Sequence, residues 1–135
     1  MKAYIATSYS NRQHDSDIIN CIVSTLANLQ IQSLIFVDAY LFAADQEKEM
    51  MKAAMKAIDD CEILIANGSH KAVGVGIEAG YAKAKGKLVI YIRSKHNDHS
   101  TTLSGISDHQ IVYESLDELV LLLHHVLKNV TAKGN

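Results

Sequence analysis

Five short apolar runs, separated by stretches of helical periodicity or polar breaks, constrain this 135-residue chain more than any other feature. The runs are residues 3–7, Leu34-Ile35-Phe36-Val37, Ile63-Leu64-Ile65-Ala66, Leu88-Val89-Ile90-Tyr91-Ile92 and Ile111-Val112-Tyr113. Continuous rather than alternating apolar character is what strands need when both faces of a sheet are covered. Between the runs, Ile18, Ile19, Ile22, Val23, Leu26 and Leu29 recur at helical spacing behind a cap at Asp15 or Ser16. Met50, Met51, Ala54, Met55 and Ile58 do the same behind Asp45, and residues 75–85 form a helix stopped by Gly86. Residues 93–102 read as a polar loop. A closing helix over 116–130 is opened by Ser115, with Glu118 three residues on. This order predicts a single α/β domain over residues 1–130, followed by a frayed tail over 131–135. Right-handed crossovers place helices on both faces of a five-stranded parallel sheet, giving a three-layer sandwich.

Composition narrows the partners. Lys plus Arg number 13 against 15 Asp plus Glu, for a net charge of −2, so the basic face of a nucleic-acid polymer binder is not expected. No apolar run approaches the ~18 residues of a membrane span, and Met1 leads directly into strand-like sequence, so no secretory leader is expected. Cys21 and Cys61 lie in separate apolar stretches and read as reduced, buried thiols, so the expected location is cytoplasmic.

Open parallel sheets bind ligands beyond the carboxyl ends of their strands, and two segments with unusual residues fall there, 7–12 and 67–78. The denser signal is Gly74-Val75-Gly76-Ile77-Glu78-Ala79-Gly80-Tyr81-Ala82. Gly74 and Gly76 remove side chains where the strand turns into the helix, so a ligand can approach the backbone. Glu78, in the first helical turn, lies at the edge of the Val75, Ala79, Ala82 stripe. It either faces the cleft half-buried or complements the helix dipole at the surface. His96, Asp98 and His99 cluster without a second group at a recognisable metal-ligand spacing, so no metal is expected there. Met50, Met51 and Met55 read as core or dimer packing rather than as a ligand surface.

The glycine–glutamate block, continued by Gly86-Lys87-Leu88-Val89-Ile90, resembles the nucleoside 2-deoxyribosyltransferase superfamily, and within it the 2′-deoxynucleoside 5′-phosphate N-hydrolase branch. The resemblance extends through Tyr4-Ile5-Ala6-Thr7-Ser8, Asp60-Cys61-Glu62-Ile63-Leu64-Ile65-Ala66 and Leu103-Ser104-Gly105. It implies a flavodoxin-like sheet, a homodimer or larger assembly, and no cofactor. In that family the glutamate matching Glu78 attacks C1′ of the sugar, expels the base and forms a glycosyl-enzyme that water or a second base resolves. Tyr4 matches a tyrosine that orients this carboxylate. Ser8 matches a serine that binds the 5′-phosphate, with Ser10 and Asn11 as further donors and Arg12 as added charge. Ser104 matches a serine contributed by the neighbouring subunit.

The sequence also departs from the family pattern. An aspartate of the helix before the third strand is replaced by Ala54, and the acid or serine six residues before the glutamate is Ala72. Ser10 stands where the hydrolases place an arginine. Asp59 and Asp60 lie a turn or more from the missing acid. Three functions follow as expectations: cleavage of the N-glycosidic bond of a (deoxy)nucleoside 5′-monophosphate; a nucleotide-binding or sensing module that has lost turnover; or cleavage of an NAD-like substrate.

Overall fold

A computed structural model describes residues 1–133. Its elements, in chain order, are β1 (Lys2–Ala6), α1 (Ser16–Asn28), β2 (Gln32–Ile35), α2 (Phe36–Ala39), α3 (Glu47–Asp59), β3 (Ile63–Asn67), α4 (Val73–Ala84), β4 (Leu88–Ser94), α5 (Thr101–Ile106), β5 (His109–Tyr113) and α6 (Leu116–Lys133). The five strands form one parallel sheet in the order β2-β1-β3-β4-β5. The expected single-domain, flavodoxin-like three-layer α/β fold is therefore the observed one.

Burial follows position in the sheet. All of β3 is buried, whereas edge strand β5 alternates, with Ile111 and Tyr113 inward and Gln110 and Val112 outward. Odd-numbered Ala3, Ile5, Ile63 and Ile65 pack under α1 and α6. Even-numbered Tyr4, Ala6, Leu64 and Ala66 pack under α3 and α4. Strand order reverses at β1 and β3, so the crevice at their carboxyl ends is the ligand position of this architecture.

Four local expectations need correction. The second apolar run is split: Phe36 and Val37 leave the sheet and open α2. A short apolar run carries no periodicity that would separate strand from helix. Residues 93–102 are not one loop, because β4 continues through Ser94 and α5 begins at Thr101. Ser100 caps α5, its hydroxyl accepting from the Leu103 N–H at 3.2 Å. The cap of α3 is Gln46, not Asp45. Helix α4 starts at Val73, so Gly74 and Gly76 lie inside its opening turn and Glu78 lies in the second.

Other punctuation reads as the sequence indicates. Gly86, at φ 76°, follows α4, with the Lys87 N–H closing back on the Ala82 carbonyl at 2.9 Å. Ser115 accepts from the Glu118 N–H at 3.2 Å while Glu118 reaches back to the Glu114 N–H at 3.0 Å. Helix α6 runs to Lys133, and of the expected frayed tail Gly134 and Asn135 lie outside the described residues. Cys61 is buried, which pushes its thiol up to about 11, and Cys21 is half-buried.

Candidate active site

The site begins with a strand residue that the two-residue period points away from the α1–α6 layer. Tyr4 is fully buried beside Phe36 and Leu64, under α4. Helix α4 meets the sheet through Val75, Ala79 and Ala82, all buried and mostly small, so its axis lies close to the strands. Glu78 flanks that stripe and is half-buried. The Tyr4 hydroxyl donates to Glu78 Oε2. Of the two orientations left open for Glu78, the structure adopts the inward one. At the second turn the dipole explanation for a surface acid also loses its basis, because that effect fades within the first turn.

Glu78 lies in the wall of a cavity of about 620 Å³ beyond the carboxyl ends of β1 and β2, against the start of α4. Ser8 and Ser10 form one polar rim, their hydroxyls 3.1 Å apart. Asn11 stands behind them and donates to Ser8 Oγ at 3.1 Å. Gly74 also lines the cavity, and a side chain added there would meet nothing within 4 Å, which leaves the α4 backbone open to a ligand. Helix α4 has no side-chain cap at Ala72, so its first N–H groups face this region without an intramolecular side-chain acceptor.

The remaining wall is apolar, and the sequence reading did not anticipate it. Phe36, Tyr40 and Phe42 form an aromatic cluster, with ring centroids 4.8 Å apart for Phe36–Tyr40 and 6.3 Å for Phe36–Phe42. Met50 and Met51 line the cavity, and Met50 also packs on the buried cluster under α3 and α4, as the expectation of core packing had it. The available signal is the density of aromatic residues between 36 and 42, which the continuity of Phe36 with the preceding apolar run conceals.

Electrostatically the cavity is unusual. Among the described residues lining it, Glu78 is the one carboxylate, and no lysine or arginine lines it. Burial pushes the Glu78 carboxyl up to about 8. Ala54 and Ala72 both line the cavity and contribute no acid there. Asp59 is remote, tied to the Tyr81 hydroxyl at 2.8 Å. Arg12 does not reach the serines' cavity: Asp38 holds it through two bonds of 2.9 and 2.8 Å.

Two candidate residues fall elsewhere. Gly76 lines a separate cleft between α4 and α5. Ser104, on α5, bonds Gln110 at 3.2 Å and does not line the Glu78 cavity of its own chain.

Comparisons with known proteins agree with this architecture. No curated protein matches the chain. Among solved structures, the Clostridium botulinum CMP N-glycosidase BcmB superposes with a TM-score of 0.67 at 21% identity, covering 91% of this chain and 98% of that one. A conserved protein from Enterococcus faecalis V583 gives 0.69 at 16% identity, with coverages of 89% and 94%. A 2-deoxyribosyltransferase from Bacillus psychrosaccharolyticus gives 0.64 at 13% identity, with coverages of 89% and 90%. At these identities the likeness establishes the fold. The sequence itself carries the family: residues 3–123 match the nucleoside 2-deoxyribosyltransferase family, nearly the whole chain, and the protein belongs to it.

Proposed function

We propose that this protein cleaves the N-glycosidic bond of a (deoxy)nucleoside 5′-monophosphate by hydrolysis, with Glu78 as nucleophile. Family membership supports chemistry at the nucleoside glycosidic bond. The likeness to BcmB, a CMP N-glycosidase, supports a nucleotide rather than a free nucleoside. The observation that carries the reading is a single half-buried carboxylate, held by Tyr4, in the wall of a cavity whose opposite features are a hydroxyl rim and an aromatic cluster.

In this reading the base lies against Phe36, Tyr40 and Phe42, where ring faces give area burial and stacking. The phosphate meets Ser8, Ser10 and the uncapped start of α4, which stand in for the absent cation. Ionised Glu78 attacks C1′ as the bond to the base breaks, and its electron pair leaves with the base, which takes a proton from water. A second water attacks C1′ of the glycosyl ester and gives its proton to the hydroxide left by the first, so that ionised Glu78 and the sugar phosphate are released. Tyr4 orients the carboxylate throughout.

Ser104 belongs to this proposal through a second copy of the chain. It lies outside its own cavity, while neighbouring α4 exposes Val73 (81%) and Ile77 (53%), an apolar edge that a homodimer would cover. No helix among the described residues is long and apolar enough to cross a membrane.

One observation favours a second reading, a nucleotide-binding module with little turnover: Ala54 and Ala72 leave Glu78 as the one carboxyl among the described residues lining the cavity. Incubating the protein with deoxynucleoside and ribonucleoside monophosphates, the free nucleosides and NAD separates the two. Chromatography should show free base from a monophosphate, and Glu78→Gln should lose on the order of 10³-fold or more in rate while retaining the ligand. Binding without base release supports the module. Neither binding nor release overturns both.

A further inference from the structure

On the other face of the sheet, the carboxyl ends of β1 and β3 hold a polar cluster that the glycosidic chemistry does not use. We propose that His14, Asp15 and His70 form a binding site for a divalent transition metal of the zinc class. One ligand atom from each of the three lies within 4.8 Å of the others. His70 Nε2 is 3.3 Å from Asp15 Oδ1. Zinc bonds of about 2.0–2.2 Å in tetrahedral geometry put neighbouring ligand atoms roughly 3.4 Å apart, so this pair already has the required spacing. The exposed His14 ring stands edge-on to His70, centroids 5.6 Å apart, and a rotation about its side-chain torsions would close the remaining distance.

The buried member of the set is prepared for a cation. Asp15 is 2% exposed, and its one ion-pair partner among the described residues is His70. A carboxylate taken out of water demands compensating positive charge. Asp15 Oδ2 is fixed by the Asn67 amide at 3.1 Å, and the same amide donates to Thr7 Oγ1 at 3.1 Å. Asn67 is itself buried and accepts from the Ser69 N–H and hydroxyl at 3.1 and 2.6 Å. Metal-binding carboxylates characteristically have such an outer partner, which sets their orientation. Here it leaves Oδ1 directed at His70.

A cavity of about 250 Å³ adjoins the three residues, bordered also by Ser69, Asn97 and Tyr113, with room for water in the remaining coordination positions. Two imidazoles and one carboxylate, without a thiolate, suit zinc, cobalt or nickel rather than calcium or magnesium, which prefer all-oxygen sets. Sequence spacing conceals the set, because 55 residues separate His70 from Asp15.

The test uses the untagged full chain, stripped by chelator and titrated with ZnCl₂ by calorimetry and with CoCl₂ by visible absorption. One metal per chain is expected, with ligand-field bands from cobalt. His14→Ala and His70→Ala should each weaken zinc by at least tenfold, and the zinc-induced rise in Tm should vanish in His70→Ala. Cys21→Ser with Cys61→Ser should leave the affinity unchanged, excluding the thiols. If an alanine variant fails to fold by circular dichroism, the His→Gln variant replaces it. Absence of saturable binding, affinity unchanged in both histidine variants, or affinity lost with the cysteines would each overturn the site. None of these readouts depends on glycosidase activity.

Discussion

Tyr4 donates its hydroxyl to Glu78 across 74 positions of sequence, joining a fully buried strand residue to the helix that covers it. The contact sets two effects against each other. Burial pushes the carboxyl up to about 8, and a donated O–H favours its ionised form. Tyr4→Phe leaves burial unopposed. A nucleophilic carboxylate works deprotonated, so kcat/KM should rise with pH through about 8 in the native protein. In Tyr4→Phe the rise should move to higher pH, and activity at pH 7 should fall about tenfold for each pKa unit of displacement. pH–rate profiles of the two proteins check this, and superimposable profiles would separate Tyr4 from the carboxylate.

The same burial makes a stability prediction with a definite sign. Glu78 has its folded pKa raised to about 8 from an ordinary value of 4.5. Between those values the folded state binds more protons than the unfolded chain, so stability falls as pH rises across that window and levels off above it. Glu78→Gln is neutral throughout and escapes the loss. The variant should match the native protein near pH 4 and exceed it at pH 9, by on the order of a few kcal/mol at about 1.4 kcal/mol per unit. Thermal melts of both proteins at the two pH values measure the difference. A constant offset would mean that Glu78 is ionised without cost.

How far the sequence alone reaches depends on whether a signal is local. The strands of the sheet interior were legible because both faces are buried and their apolar runs are unbroken, as in Ile63-Leu64-Ile65-Ala66. Glu78 was legible as a candidate through its glycine-rich block, but its direction was not: the helix start at Val73 decides that, and no capping residue marks it. Phe36 was misplaced for the opposite reason, since it continues an apolar run that the chain breaks in order to pack its ring 6.0 Å from Tyr4. The pairing of Asp15 with Asn67 and His70 had no local signal at all. Asp15 at a helix start reads as a cap, whereas its side chain caps nothing and instead turns to residues more than 50 positions away.

Gly68 is required by packing beyond the end of β3. A Cβ built there would stand 2.3 Å from Tyr91 Cε1 and 2.9 Å from the Ile92 carbonyl oxygen. Tyr91 is fully buried and accepts from the Ser100 N–H at 3.0 Å, so its ring cannot retreat without releasing the start of α5. Gly68→Ala should therefore destabilise by about 1–3 kcal/mol, the usual cost of overpacking. Urea denaturation should show a lowered midpoint at unchanged slope. A neutral outcome would mean that the Tyr91–Ser100 contact yields freely.

Ala72→Asp tests whether the missing carboxylate limits the chemistry. Ala72 is the N-cap of α4, with extended backbone at φ −131° and ψ 127° and no side-chain acceptor for the helix N–H groups. Aspartate in that geometry stabilises a helix by about 1 kcal/mol, which in a domain of this size is a rise in Tm of about 4 °C. It also adds a second carboxyl to the cavity that holds Glu78. Two carboxyls sharing one site split their titrations, one losing its proton early and the other holding it late. One can then attack while the other protonates the departing base, a contribution of about 10²-fold or more when proton delivery limits the rate. Base release and melting temperature are to be measured on the same preparation. A higher Tm with faster release identifies the absent acid as the limiting factor. A higher Tm with slower release and weaker nucleotide binding shows that the capped α4 start is the phosphate site. Unchanged release shows that neither the absent acid nor that helix start limits the rate.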